Sequence, residues 1–435
     1  MSAERIAILN GRVVDPASGT DAVVPVYLAD GAVAAVGSRP DGFAADRELD
    51  AAGLVVCPGL VDICARLREP GQEHKGTILS ETRAAAAGGI TTLLCPPDTD
   101  PIADTPAVAR LIRSRAQRAG FAKVEIMGAM TRDLAGKELS QMYALRDAGC
   151  RAVTNAQFPL ANALVLRRAM EYAATCGLVV VVRPDEPSLR GTGCVHEGAV
   201  GARLGLPGIP VTAETVAVAQ VLALVEETGV QVHFGQLSSA RAVEMVAQAR
   251  VRGHPVSADV AIHHLHLTED ALGGFDAHAH VQPPFRAGGD RLALRRALAA
   301  GVVGAVCSDH QPHELDAKLD AFPSTESGVA AMELLLPLTL KLAEEGELDL
   351  ATALARLSCG PADIFGMPVG RLAAGRSADL CIFDPAAVWK VEQGQWQSNG
   401  RNTPYWGQSL KGRVVATLVA GEVVYRSGPS VIGAG

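Results

Sequence analysis

Five short segments of the 435-residue chain bring side chains able to hold a metal, move a proton or grip an anion close together in sequence. The first is Asp62-Ile63-Cys64-Ala65-Arg66-Leu67-Arg68. In an extended run alternate residues point to one side, so Cys64 and Arg66 would share a face. A Cys can ligate zinc, but Arg66 is a permanent cation with no lone pair to give. Ser308-Asp309-His310-Gln311-Pro312-His313 sets one carboxylate beside two imidazoles. His278-Ala279-His280 has the strand spacing of a metal pair, yet it precedes Pro283-Pro284 in a stretch that reads as a loop, which favours a solvated or hydrogen-bonded pair. His263-His264 reads as packing or capping, and Cys194-Val195-His196 lacks a third partner for a metal. Gly191-Thr192-Gly193 follows no strand and reads as a loop, not a phosphate nest.

The chain that must position these groups is 48% hydrophobic and 20% charged, an ordinary globular mixture that excludes a disordered or collagen-like protein. Its formal charge is −8, and no run of five basic residues occurs, which excludes a nucleic-acid surface as the first reading. Nine Cys without a CxxC pair support neither a disulfide framework nor a zinc ribbon, so reduced thiols in a cytoplasmic protein are expected. Glu4 and Arg5 precede the first apolar stretch, and no apolar window reaches 18 residues, so neither secretion nor a membrane span is expected.

Both ends read as short strands with turn punctuation. At the N-terminus these are Ile6 to Leu9, Arg12 to Val14, Val24 to Leu28 and Ala32 to Val36, predicted as a small antiparallel sheet. At the C-terminus they are Asp379 to Phe383, Val388 to Val391, Val414 to Val419 and Val423 to Tyr425. Between Gly59 and about Pro361, apolar runs alternate with Ala-rich amphipathic stretches. The runs are Ile90 to Leu94, Val124 to Met127, Arg151 to Thr154, Val179 to Val182, Val230 to Phe234, Val256 to Val260 and Ala305 to Cys307; helices are predicted at Pro106 to Arg118 and Val218 to Thr228. No GxGxxG or Walker motif follows a strand, so a (β/α)8 barrel is favoured over a doubly wound sheet. In such a barrel the tail of each strand is where chemistry sits.

The tail Asp62 to Gly71 resembles that of the dihydroorotases of the amidohydrolase superfamily, where the strand ends in Asp-x-His-x-His-x-Arg-Glu-Pro-Gly. The likeness recurs, in order, in Cys95-Pro96-Pro97-Asp98-Thr99-Asp100-Pro101, His263-His264-Leu265, Pro283-Pro284-Phe285-Arg286, Ser308 to His313 and Gly375-Arg376-Ser377-Ala378-Asp379-Leu380. The family holds zinc, which activates water for attack on a cyclic amide. The ligand positions that the resemblance assigns are degenerate here: Cys64 and Arg66 replace the paired imidazoles, Asn155 the acidic bridge, Arg183 a His and Gln236 another His. No Lys occurs between Lys137 and Lys318 to supply a carboxylated bridge. Asp309 alone survives, as a vestigial general base expected in an ion-pair network with Arg66 and Arg183. In the vestigial substrate pocket Arg68 and His313 match the family, while Asp98 and Gln282 replace Asn; an anionic Asp98 is expected to repel a carboxylate.

The resemblance implies a barrel from about 55 to 370 and a composite β-sandwich domain from residues 1–54 and 371–435. It also implies a subunit that binds no metal, like the non-catalytic dihydroorotase-like chains that accompany aspartate transcarbamoylase, in a homo- or hetero-oligomer with no nucleic-acid or membrane partner. The alternatives are an active dihydroorotase or related cyclic-amide hydrolase carrying zinc, and a pocket repurposed for metal-free chemistry.

Overall fold

The computed structural model describes residues 4–428. Eight parallel strands form the barrel: Leu60–Asp62, Ile90–Cys95, Lys123–Ala129, Ala152–Thr154, Val179–Val182, Val232–Phe234, Val256–Ala261 and Ala305–Cys307, each paired to the next in that order. Helices alternate with them for identifiable reasons. Pro106–Ala119 begins with Pro, whose missing N–H falls where no intrahelical partner exists, and stops at Gly120 in the left-handed region (φ 74°). Its buried residues Val108, Ala109, Ile112 and Ala116 form one stripe. Val211–Thr228 starts a full turn and more before the expected Val218, because the buried face there includes Glu214, whose charge hides the apolar pattern.

The first and eighth strands are joined by side chains rather than by a regular ladder. Asp62 is wholly buried and accepts from the Ser308 amide at 3.0 Å, from the Ser308 hydroxyl and from the Cys64 amide at 3.3 Å. Beyond it, the Arg66 amide donates to His310 O at 2.9 Å, where Ala65 and His310 bridge in parallel. Burial pushes the Asp62 carboxyl up to about 6 against the pull of these donors.

Val195–His196 and Gly208–Ile209 make a small two-stranded parallel sheet, and the other ten strands form two larger sheets. The six-stranded one runs Glu422–Arg426, Ser409–Val419, Leu380–Lys390, Val55–Pro58, Arg12–Asp15 and Thr20–Val23, and so interleaves both chain ends. The four-stranded one runs Ala32–Val36, Val26–Ala29, Ile6–Leu9 and Arg47–Asp50. Ile6, Ile8, Val13, Leu28, Val56, Leu380, Ile382 and Leu418 share one core between them. Three details differ from the sequence reading. Two pairings, Ile6–Leu9 with Arg47–Asp50 and Arg12–Asp15 with Val55–Pro58, are parallel, so the N-terminal part is not a simple antiparallel sheet. Thr20–Val23 and Arg47–Asp50 are unforeseen edge strands, since their largely exposed residues show no apolar alternation. The two C-terminal runs merge into Leu380–Lys390, whose pairing slips between Asp384 and Val388, beside Pro385, which has no N–H for a ladder.

Between Lys390 and Ser409 the chain leaves the sheet and runs as a strap against the segments that follow the first and eighth barrel strands. Its anchor is Glu81, fully buried, which accepts from His310 Nε2 at 2.8 Å, Ser398 Oγ at 2.6 Å, Ser80 Oγ at 2.7 Å and the Asn399 amide at 3.0 Å. His310 Nδ1 accepts from the Ala331 amide at 3.2 Å, which fixes Nε2 as the donor. Glu333 Oε1 accepts from the Gln397 and Ser398 amides at 2.9 and 3.0 Å. Burial pushes Glu333 up to about 8 despite those amides, so it is neutral near pH 7. Its folded value lies above the unfolded one, so the unfolded chain releases its proton first and stability falls as pH rises from about 4.5 to 8. Glu333→Gln should keep the strap in place and flatten that decline; thermal unfolding midpoints across this window check it, and an unchanged slope would contradict the assignment.

Candidate functional site

Cys64 and Arg66 follow the first barrel strand, Asp98 the second, Asn155 the fourth, Arg183 the fifth, Gln236 the sixth and Asp309 the eighth, so all lie at the C-terminal end of the barrel. Arg66 lies at its centre. Its Nε donates to Asp98 Oδ2 at 2.7 Å and its Nη1 to Asp309 Oδ1 at 3.3 Å, with the three side chains 7, 14 and 4% exposed. Asp309 also accepts from Gln311 Nε2 at 3.1 Å, and the Cys64 thiol lies 3.6 Å from it. Burial raises Asp309 above the ordinary carboxylate range, partly opposed by Arg66 and Arg183. For Asp98 burial acts the same way, but Arg66 and Arg68 outweigh it and hold the carboxyl low. Burial, with Asp309 close by, drives the Cys64 thiol far up, leaving no thiolate.

Arg183 does not join this network as expected. Its Nη1 donates to Gln282 O at 3.2 Å and its Nη2 lies 3.7 Å from Asp185, while no ion pair with Asp309 forms within 4.0 Å. Its nearest acid is Asp185 of its own segment, although it lines one cavity with Arg66 and Gln236. Asn155 is turned into its loop, accepting from Thr131 Oγ1 at 2.7 Å and donating to Leu134 O and Phe158 O at 3.0 and 2.6 Å. Gln236 Nε2 approaches the Cys307 sulfur at 3.9 Å.

The pocket positions are likewise engaged with one another. Arg68 donates to Pro312 O at 3.0 Å and Gln72 Oε1 at 3.3 Å and lies 3.0 Å from His313 Nε2. His313 is lowered to about 2 by burial and by Arg68, Lys75 and Lys318, so it is neutral. The expectation of a repelling Asp98 needs correcting, because Arg66 takes up its charge. Gln282 contributes its backbone carbonyl to Arg183.

Two groups went unrecognised in the sequence. Asp259 accepts from His233 Nε2 and the Gln236 amide, both at 2.8 Å, and lies 3.3 Å from the Cys307 sulfur. Its signal was a charge interrupting the apolar run Val256 to Val260. Asn402 accepts from the His313 amide at 2.7 Å and donates to Gln311 O and Gly328 O at 2.8 and 2.9 Å. It lies on the strap, ninety residues away in sequence, and no local pattern marks it. His263 and His264 are buried against Phe285, ring centroids 5.7 and 5.1 Å away. His280 bonds Thr325 Oγ1 at 2.8 Å.

A zinc ion does not fit these residues. The guanidinium of Arg66 occupies a ligand position and pairs with Asp309, the one retained ligand, Asn155 points elsewhere, and no group of three His, Cys, Asp or Glu able to hold an ion assembles among the described residues.

The family described as dihydro-orotase-like matches residues 53–242, and the amidohydrolase family matches residues 198–425. A dihydroorotase-like protein of Pseudomonas aeruginosa is 52% identical, covering 97% of this chain and 99% of that relative. The chain belongs to the dihydroorotase-like amidohydrolases. Another relative, the dihydroorotase of Syntrophotalea carbinolica, is 43% identical over 97% of this chain and 99% of its own. In fold the amidohydrolase likeness extends to the L-hydantoinase of Arthrobacter aurescens, with a TM-score of 0.88 at 25% identity, over 98% of this chain and 97% of that one.

For this amidohydrolase, Arg66→Met should destabilise the barrel by about 3–5 kcal/mol, because Asp98 and Asp309 would stay buried without their cation. Adding Asp98→Asn should recover part of the loss. Urea unfolding of the four members of the cycle checks this, and strictly additive effects would show that the pair is not coupled.

Proposed function

We propose that this chain is a catalytically inactive dihydroorotase-like protein of pyrimidine biosynthesis that serves as a structural or assembly subunit for aspartate transcarbamoylase. The observation that carries the reading is the Arg66 guanidinium held between Asp98 and Asp309 where the family resemblance places a metal ligand. Zinc lowers the pKa of its bound water only when lone pairs hold the ion, and of the six ligand positions only Asp309 keeps the family's residue. An intact barrel that has lost its metal cage still has an outer surface. Standard stable interfaces bury roughly 1,200–2,000 Å² in total, enough for such a barrel to brace another enzyme without contributing chemistry. The relatives in Pseudomonas aeruginosa and Pseudomonas putida, 52 and 50% identical, carry the same dihydroorotase-like description. A cytoplasmic setting accords with the buried free thiols.

The rival is a metal-dependent cyclic-amide hydrolase, which relatives named dihydroorotase favour. The purified protein should contain substoichiometric zinc and hydrolyse dihydroorotate no faster than buffer; a turnover near roughly 1–10³ s⁻¹ would establish the rival instead. His at 64 and 66 together should not restore activity, since Asn155, Arg183 and Gln236 would still offer no cage.

Co-expression with aspartate transcarbamoylase should yield a co-eluting complex, and withholding this chain should cost the transcarbamoylase activity or order. Arg66→Ala, where it folds, should leave the association intact. Independent migration at micromolar concentration, with a transcarbamoylase fully active alone, would end the assembly reading.

A further inference from the structure

Arg183 forms a wall common to three clefts at the barrel mouth. Its side chain is 9% exposed, yet it is poorly satisfied: of its five donors, only Nη1 makes a hydrogen bond among the described residues, to Gln282 O. The carboxylate nearest to it, Asp185, lies 3.7 Å from Nη2 and is gripped instead by Arg190 at 2.6 Å. Nε and Nη2 therefore remain as a parallel pair of donors on one edge of the guanidinium, the geometry that receives both oxygens of a carboxylate.

Along one cleft apolar side chains adjoin Arg183, together with the polar Thr154, Asn155 and Asp185. That cleft, partly continuous with solvent, has about 40 Å³ of room and is walled by Phe158, Leu160, Leu166 and Val221, with Gln220 as a further polar group. Small-molecule sites likewise combine an apolar wall with few convergent polar groups. Around the next cleft Arg183, Arg190 and Arg286 face Asp185 and Glu214, an excess of one positive charge. A single negative charge balances it; a dianion would meet the two acids.

We propose that the Arg183 cleft binds a small monocarboxylate, its carboxylate on Nε and Nη2 and its ring or branched apolar body against Phe158, Leu160 and Val221. The ligand would sit beside the Arg66 cluster without displacing it. The inference does not require the transcarbamoylase reading, and either can fail alone.

Calorimetric titration of the full chain with benzoate tests it, with benzamide as the neutral isostere and inorganic phosphate as the dianionic competitor. Benzoate should bind saturably at one site, about tenfold or more tighter than benzamide. Arg183→Gln should reduce benzoate to the benzamide level. Arg183→Lys, which keeps charge but not the fork, should fall between, and Leu160→Trp, which fills the apolar side, should weaken both ring compounds. Thermal midpoints identify which variants are folded, and any one folded variant at Arg183 suffices. Absence of saturable benzoate binding, equal affinity for benzamide, preference for phosphate, or benzoate affinity unchanged in a folded Arg183 variant would each overturn the proposal.

Discussion

A guanidinium buried at the mouth of a barrel must be neutralised, and that requirement organises this molecule's functional end. Arg66 is held by Asp98 and Asp309, carboxylates from the tails of the second and eighth strands. A lone charge in such a place would be far more costly than any single hydrogen bond could offset. The ion cluster therefore ties the start of the barrel to its end, just where Asp62 and Ser308 complete the closure that a regular ladder does not make. Here the positive charge is covalently part of the chain, so it cannot be exchanged.

The consequences spread outward by hydrogen bonding. Asp309 is followed by His310, which is held by Glu81, which in turn pins Ser398 and Asn399 of the strap. Asn402 then fixes the backbone of Gln311 and His313. Arg68 and His313 are engaged with each other and with Pro312, so the pocket positions retained from the family are locked by protein partners. The exception is Arg183, which borders the same cavity as Arg66 but pairs with no carboxylate of the cluster within 4.0 Å and keeps donors to spare.

Much of the barrel was legible because its strands are short apolar runs with a helical pattern between them, and Val179–Val182 and Ala305–Cys307 have the expected bounds. What escaped notice shares one physical cause: polar groups that work across long sequence separations look like interruptions. Glu214 hid the first turns of its helix, Asp259 broke a strand pattern, and Asn402 lay in an unpatterned stretch. At the site, residue identity revealed which ligands were replaced, but not the direction of each side chain. The pairing of Arg66 with Asp98 depends on the mutual placement of two strand tails, and no single segment encodes it.

The six-stranded sheet has a temporal meaning as well as a spatial one. Val55–Pro58 emerges early in synthesis, yet its partner Leu380–Lys390 comes more than three hundred residues later. Until then the apolar face containing Val13 and Val56 has no cover from Leu380 and Ile382. During synthesis at roughly 5–20 residues per second, the nascent chain spends tens of seconds with that edge open to other strands. Its productive folding thus waits for the residues from Leu380 onward, and a ribosome stalled before them would present an incomplete sheet to the chaperones of the cell.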